Sequence, residues 1–575
     1  MYILSTTHRQ WKLSFCLVAA ALLQYLPAAQ AIRRVSDEAI TPAHLLEARA
    51  YTNDNSGAAC CFLLQNWLGP IVSFPNSTVY QSSTSSYWTA EARSVDPGCV
   101  ISPNSTSDVS QAVGMIDKIR DMGLECKFAI RSGGHTPWAG AATISQGIQF
   151  DMAALKQVTV HYDRMTTSIG PGARWLDVYS KLDALNLTVP GGRAATVGVG
   201  GLVTGGGISF LAAQHGFTAD NVVEFEVVLY NGFVAIASST SNPDLFFALK
   251  GGSNNFGIVT RIELATFAQG KVWGGSIFYP YSVKNQSLSA FVKFAGQESY
   301  DVYGALINTY SLIAATKTWV ISNSIAYTKP IVNPPVFQEL TAMQPQVANT
   351  TRITQLADLT NEVATMAGNA NNQLFYTSTW SNDLETLAAI VDLNQKYAET
   401  VTGVAGLLWS FSLQPLVTAI TSKSAETGGN PLGLDDSDEN LVIGLVAASW
   451  NFTTDHEAVL GAVSGFFAAA DELADSNCNL NPFIYLNYAY KTQEPIKSYG
   501  EDNVEILRSP KGTDFRLRAA VLKRNSPPDS ARTLRHIALD EEVGFYEGNG
   551  VGLGLEGPSS ESSGSMQKGM DMGKL

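Results

Sequence analysis

The sequence predicts an α+β protein with two lobes, and three observations carry that prediction. From Cys99 to Leu264, short β-rich runs alternate with helical patterns, and glycine clusters recur. Past residue 267 the glycines thin out, and longer strands mix with longer helices, the texture of a second α+β unit around an antiparallel sheet. Of the 575 residues 45% are hydrophobic and 15% charged, which is ample for real cores and argues against a mostly disordered chain.

Residues 1–31 read as a secretory signal peptide. His8, Arg9 and Lys12 precede an apolar run from Leu13 to Leu26, Pro27 breaks it, and Ala29-Gln30-Ala31 is a small-x-small cleavage site, with the cut after Ala31. The run is short of the ~20 residues a bilayer span needs, which favours cleavage over a signal anchor, and no later stretch is long and apolar enough to span. Export predicts N-glycosylation at the surface, and Asn-x-Ser/Thr acceptors occur at Asn76, Asn104, Asn186, Asn285, Asn349 and Asn451. It also predicts disulfides. Of six cysteines Cys16 leaves with the leader, so five remain and at least one thiol is unpaired or bonded outside the chain. Adjacent Cys60 and Cys61 rarely pair with each other, so a bridge from one of them to Cys99 is expected.

Residues 32–94 read as a helical lead-in ending in a loop rich in Ser, Thr and Tyr. In 95–267, apolar Val109, Val113, Ile116 and Ile119 predict a helix over 109–122, with Asp108 placed to accept its free amide hydrogens. Strands are expected at 126–130, 148–152, 167–169 and 258–264, and a helix at 175–185. Asn231-Gly232 between 222–230 and 233–237 is a hairpin turn. In 268–478, strands are expected at 273–279, 319–326, 407–413 and 441–450, with helices at 384–400 and 456–473. Residues 479–508 hold the alternating aromatic run Phe483-Ile-Tyr-Leu-Asn-Tyr488 and a helix ending near Leu507. The polar, Gly/Ser-rich stretch 509–575 reads as a disordered tail.

The net charge of −14 disfavours nucleic acid, which requires clustered Lys and Arg, and anionic membrane surfaces repel an acidic chain. No pair of histidines has metal-ligand spacing, so no metal is expected. His161 and His215 are isolated, His456 opens a helix, and there is no G-x-S-x-G elbow for a hydrolase.

The chemistry concentrates in Arg131-Ser132-Gly133-Gly134-His135. Glycines after a strand let backbone approach a ligand closely and offer N–H groups to phosphate, with a histidine beside it; the plain alternative is a turn followed by a surface histidine. Further clusters stand at Gly170-Pro-Gly172, Gly191-Gly192, Gly198 to Gly207 and Gly251 to Gly257. A dinucleotide fingerprint is rejected: no clean strand precedes Gly198, and no acidic residue follows about 20 residues on. Glycines recurring over more than a hundred residues are what a long ligand threaded between several loops requires.

These motifs, with Tyr485-Leu-Asn-Tyr488, resemble the FAD-binding PCMH-type domain of the p-cresol methylhydroxylase and vanillyl-alcohol oxidase superfamily, and within it the berberine bridge enzyme-like flavoproteins in their fungal secreted form, over about Cys60 to Leu507. The resemblance makes 95–267 the FAD-binding domain, 268–478 the substrate-binding domain and 479–508 a segment returning to the flavin. It implies that His135 bonds the flavin 8α-methyl and that Arg131, Ser132, Gly133 and Gly134 wrap the pyrophosphate. Gly198, Gly200, Gly201 and Gly205 would continue the cradle, Ile258 and Val259 would touch the adenine side, and Asn487 and Tyr488 would reach the isoalloxazine. Some members add a second link from a cysteine to flavin C6; Ala194 stands at that position here, so a single linkage is expected. The family's short Tyr-Asp-Pro…Phe segment after the last helix is missing, with Ser509-Pro510 in its place, from an appended tail or from an imperfect reading frame near the end.

Such a site oxidises by hydride transfer to FAD, with O2 reoxidising the flavin to give H2O2. A phenol acting as base needs its pKa of ~10 lowered by charge or hydrogen bonds. Tyr485 is the candidate, since period-two alternation puts it on one face with Asn487 and leaves Tyr488 on the other; the competing reading is an aromatic wall. Gln414 faces either substrate or core. The expected substrate is a small molecule, a secondary-metabolite intermediate. The alternatives are a carbohydrate oxidase and, from another class, a secreted glycoprotein that binds a ligand without turnover.

Overall fold

The computed structural model describes residues 56–366, 371–434 and 438–508. The leader, the tail and the Ser509-Pro510 interruption lie outside the described residues.

The described chain opens with a helix, Ser56–Leu68, whose Cys60, Cys61, Leu63 and Leu64 are buried. Where the sequence reading placed a loop, two short helices form, Thr78–Ser85 and Ala90–Arg93. The residues that looked loop-like are N-caps: the Ser77 hydroxyl accepts the Tyr80 N–H, and the Thr89 hydroxyl accepts the Ala92 N–H. Two disulfides pin the first helix to a small sheet, Cys61–Cys99 to one of its strands and Cys60–Cys126 to the segment just before another, and Cys478 is left free and exposed.

That sheet has four strands, in the order Val72–Ser73, Cys99–Ile101, Ile148–Asp151 and Phe128–Arg131, the last three parallel. The crossover helix Thr106–Asp121 covers it, with Val109, Val113, Ile116 and Ile119 buried. Its N-cap is Ser105, whose hydroxyl accepts the Asp108 N–H, while the Asp108 carboxylate turns back to the Asn104 N–H. The parallel strand Phe128–Arg131 points its carboxyl end at the 132–135 loop, the usual place for a ligand in such a sheet.

A second sheet of five antiparallel strands runs Val158–Val160, Thr166–Ile169, Ile258–Ala265, Val222–Val228 and Val234–Ser238. The last two form the expected hairpin, with Gly232 at φ 81°. Trp175, Val178 and Leu182 of helix Trp175–Asp183 pack into the core it shares with Val199, Phe225 and Ile262.

The third sheet has nine strands and antiparallel pairing. Helices Lys284–Ala295, Leu384–Glu399 and His456–Ser476 bury Phe291, Ile390 and Phe466 against one face. Strand Gly304–Ile313 shows the two-sided logic: Leu306, Tyr310 and Leu312 join that core, while Ile307, Thr309, Ser311 and Ile313 face a cavity on the other side. Strand Leu408–Leu416 divides likewise, Trp409, Phe411 and Leu413 inward and Ser410, Ser412 and Gln414 to the cavity.

One expected element does not form. The 483–488 run is not an extended strand; Leu486–Tyr488 is a 3-10 turn with Tyr485 as its N-cap. In such a turn positions i and i+3 eclipse, so Tyr485 and Tyr488 come together at 4.8 Å between ring centroids instead of pointing apart.

Candidate active site

A cavity of ≈ 780 Å³ lies between the lobes, within the range of small-molecule and cofactor sites. One wall is backbone. Gly133 and Gly198 lie against each other so closely that a Cβ on either would collide with the other's main chain. Gly134 has φ 64°, which favours glycine, and Gly201 has open space where a side chain would stand. The Ser132 hydroxyl donates to the Pro171 carbonyl at 2.5 Å and accepts the Gly200 N–H at 3.2 Å. Arg174 clamps the two loops from behind, donating to the carbonyls of Thr196 and Gly133.

His135 stands beside this cradle. Its ring stacks on Trp88 at 4.1 Å, and Nε2 lies 3.0 Å from the Thr196 hydroxyl. Burial first, and the Arg174 charge second, push its pKa down to about 3, so the imidazole is neutral at any physiological pH.

The C-terminal segment closes the site. The Asn487 side-chain amide donates to the carbonyls of Leu202 and Gly205 and to the Tyr485 hydroxyl, each at 3.1 Å. The Trp138 indole N–H donates to the Ala489 carbonyl at 3.2 Å. Tyr488 meets residues from two other elements: its hydroxyl donates to Gln414 Oε1 at 3.1 Å and accepts from Arg193 Nη2 at 2.8 Å, and the same Nη2 also donates to Gln414.

Several expected placements change. The Arg131 side chain does not reach the cavity; it is buried against Asp151 at 3.3 Å, the Ser83 carbonyl and the Tyr87 ring, because a buried guanidinium needs a counter-charge and acceptors. Gly205 is the seat of Asn487, whose side chain occupies the space a Cβ would need. Ile258 packs into the N-terminal core, and strand alternation gives the cavity Val259 alone. Tyr485 lines the cavity, but burial pushes its phenol well above the ordinary range; Arg193 and the N–H donors of Ile208 and Asn487 offset this only in part. That is the opposite of what a phenolic base requires. Ser132, Gly133, Gly134, Gly198, Gly200, Gly201, His135, Gln414, Asn487 and Tyr488 all line the cavity. The glycines at 170, 172, 191 and 192 serve packing instead, against the Leu155 and Met152 main chain and the Trp175 ring.

Sequence reasoning missed Arg193 and Trp88. Arg193 carries the only charge between Asp183 and Asp220, inside a glycine-rich stretch, and that isolation was visible. Nothing in the sequence tied Trp88 to His135.

The donors and spaces present fit FAD: a side-chain-free cradle of the kind a pyrophosphate needs, a neutral imidazole beside it, and a polar cluster from three elements elsewhere on the wall. The comparisons agree. Residues 97–238 match the FAD binding domain family. The FAD-dependent monooxygenase sdcF of Emericella nidulans is 37% identical over 454 residues, 78% of this chain and 93% of that protein. The FAD-dependent monooxygenase tpcD of Cochliobolus heterostrophus is 34% identical over 453 residues, 76% and 85%. Among solved structures, the BBE-like 1 protein of Physcomitrella patens has a TM-score of 0.62 at 18% identity, covering 78% of this chain and 94% of that one. Glucooligosaccharide oxidase of Acremonium strictum, with its 6-S-cysteinyl, 8α-N1-histidyl FAD, has 0.62 at 20%, covering 79% and 95%.

Proposed function

We propose a reaction for a chain that belongs to the berberine bridge enzyme-like FAD-linked oxidoreductases: oxidation of a small organic substrate, an intermediate of secondary metabolism, by hydride transfer to a flavin bonded through His135. FAD held there would supply the hydride acceptor, with O2 as its oxidant and hydrogen peroxide as the product. The observation that carries the reading is His135 itself, a neutral imidazole fixed by Trp88 and Thr196 at the mouth of a glycine cradle. A neutral ring nitrogen is a nucleophile, which a protonated one is not. Ala194 lines the same cavity without a sulfur, so the linkage is single.

Three side chains manage the substrate proton. Tyr488 takes it as its phenolate, after the hydrogen that Gln414 accepts in this structure has left to solvent; the Arg193 guanidinium lies where that negative charge needs stabilising, and Gln414 orients the ring. Asn487 locks the turn that carries Tyr488 onto the cofactor wall. Export and glycosylation complete the proposal: both disulfides suit an oxidising compartment, and all six acceptor asparagines are exposed.

The test is colour. Purified protein should be yellow, the colour should survive acid precipitation, and peroxide should appear with the correct substrate. His135→Ala should keep the fold and lose the acid-stable colour. A wild-type protein that never carries flavin would leave only the ligand-binding glycoprotein, and peroxide released with oligosaccharides alone would replace the proposed substrate class.

A further inference from the structure

The cavity wall has a lopsided charge inventory. Among the described residues that line it there is no Asp, Glu or Lys; with His135 neutral, Arg193 is the charged side chain. Among the described residues no carboxylate pairs with Arg193, and its protein partners are the neutral Gln414 and Tyr488, both served by Nη2. Nη1 and Nε have no protein acceptor among the described residues. A half-buried guanidinium with Nη1 and Nε unserved favours an acidic oxygen from outside the chain, and opposes a second cation in the same low-dielectric space.

The sheet floor narrows the choice further. Four of its hydroxyls serve one another across strands, Thr309 with Ser412 and Ser311 with Ser410, each at 2.9 Å, and Ser322, Ser324 and Ser449 line it too. Between them stand Ile307, Val320, Leu408 and Leu445. A floor in which aliphatic side chains stand among small hydroxyls, four of them already paired, suits a ligand with substantial apolar surface.

We infer that the substrate is recognised through an acidic oxygen, an enol or phenol hydroxyl or its anion, bound by Arg193, and that amines are excluded. This deepens the flavin-oxidase reading and rests on it. Arg193 acts here as a specificity residue, separate from its contact with Tyr488.

Three near-isosteric probes test it by equilibrium dialysis against flavin-loaded protein in mildly alkaline buffer: 4-nitrophenolate, the neutral 4-nitroanisole and the cationic 4-nitrobenzylammonium. The phenolate should bind about tenfold or more tighter than the ammonium, a margin typical of one charge-assisted contact. Arg193→Gln should bring it to within about twofold of the anisole with flavin content unchanged, and Arg193→Lys should keep part of the preference. Equal or tighter binding of the ammonium overturns the inference. So does a preference that survives Arg193→Gln, or an Arg193→Gln protein in which only the flavin spectrum changes. Should Arg193→Gln fail to fold, the wild-type ranking and Arg193→Lys decide. A colourless wild-type protein sinks the flavin reading separately, and the probe ranking is scored on that protein all the same.

Discussion

The two walls of the cavity are made of different material. On the cofactor lobe the wall is main chain, with Gly133 and Gly198 in mutual contact and Gly201 open. Across from it the wall is side chain, alternate residues of pleated strands such as Thr309, Ser311, Ser410 and Ser412. A backbone wall admits almost no substitution, because any Cβ collides or fills the ligand's space. A pleated side-chain wall can be changed one residue at a time without moving the strands that carry it. The first suits an unchanging cofactor and the second a substrate that differs between relatives.

The largest effect that could break this contrast is at Gly198. Gly198→Ala puts a Cβ into the Gly133 main chain, so it should destabilise the protein by about 1–3 kcal/mol and abolish flavin incorporation, read by thermal melting and by absorbance. A flavin-loaded, fully stable Gly198→Ala protein would show that the backbone wall has slack. Next is Tyr488→Phe, which removes the proposed proton acceptor but not the glycine wall. Turnover should fall by about 10²–10⁴ with flavin content unchanged, measured by peroxide release; a comparable fall in Tyr485→Phe with none in Tyr488→Phe would return the role to Tyr485. A smaller effect is expected on the sheet. Ser410→Val breaks the pair with Ser311, so KM should shift by several-fold while stability changes by about 1 kcal/mol or less. Loss of flavin from that variant would mean that the two walls are not independent.

The smallest effect concerns Glu91, which ties helix Ala90–Arg93 to the nine-stranded sheet by accepting the Gln373 N–H. Burial pushes its carboxyl up to about 7, against the N–H of Gln373 and the Arg93 charge, which favour the ionised form. The folded protein therefore holds a proton on Glu91 that the unfolded chain has lost, between the ordinary carboxylate range and pH 7. The stability this gives declines as pH rises through 7. Glu91→Gln should match wild type in melting temperature at pH 5 and exceed it by a few degrees at pH 8. The opposite order would place the ionised form as the stabilising one.

Much of the scaffold was legible because it depends on local pattern. The helix near 109–122, the hairpin at Asn231-Gly232 and the strand 441–450 follow from periodicity and turn chemistry. The short helices at 78–85 and 90–93 escaped because their Ser and Thr caps look the same as loop residues until the next turn is wound. The face of Tyr488 was misread because an extended run and a 3-10 turn share the same six residues, and packing against Leu202 and Gly205 chose between them.

The sequence by itself determined the glycine wall of the cavity, since glycines and one histidine after a strand declare where main chain approaches main chain or a ligand closely. Only the tertiary structure decided the polar cluster of Arg193, Gln414 and Tyr488. Arg193, Gln414 and Tyr488 are separated by up to 295 positions and meet through lobe packing alone, and that packing also turned Arg131 away from the cavity and onto Asp151. Contacts of that range leave no periodicity in a chain, because the energy that selects them comes from burial and charge pairing between elements and not from neighbours along the backbone.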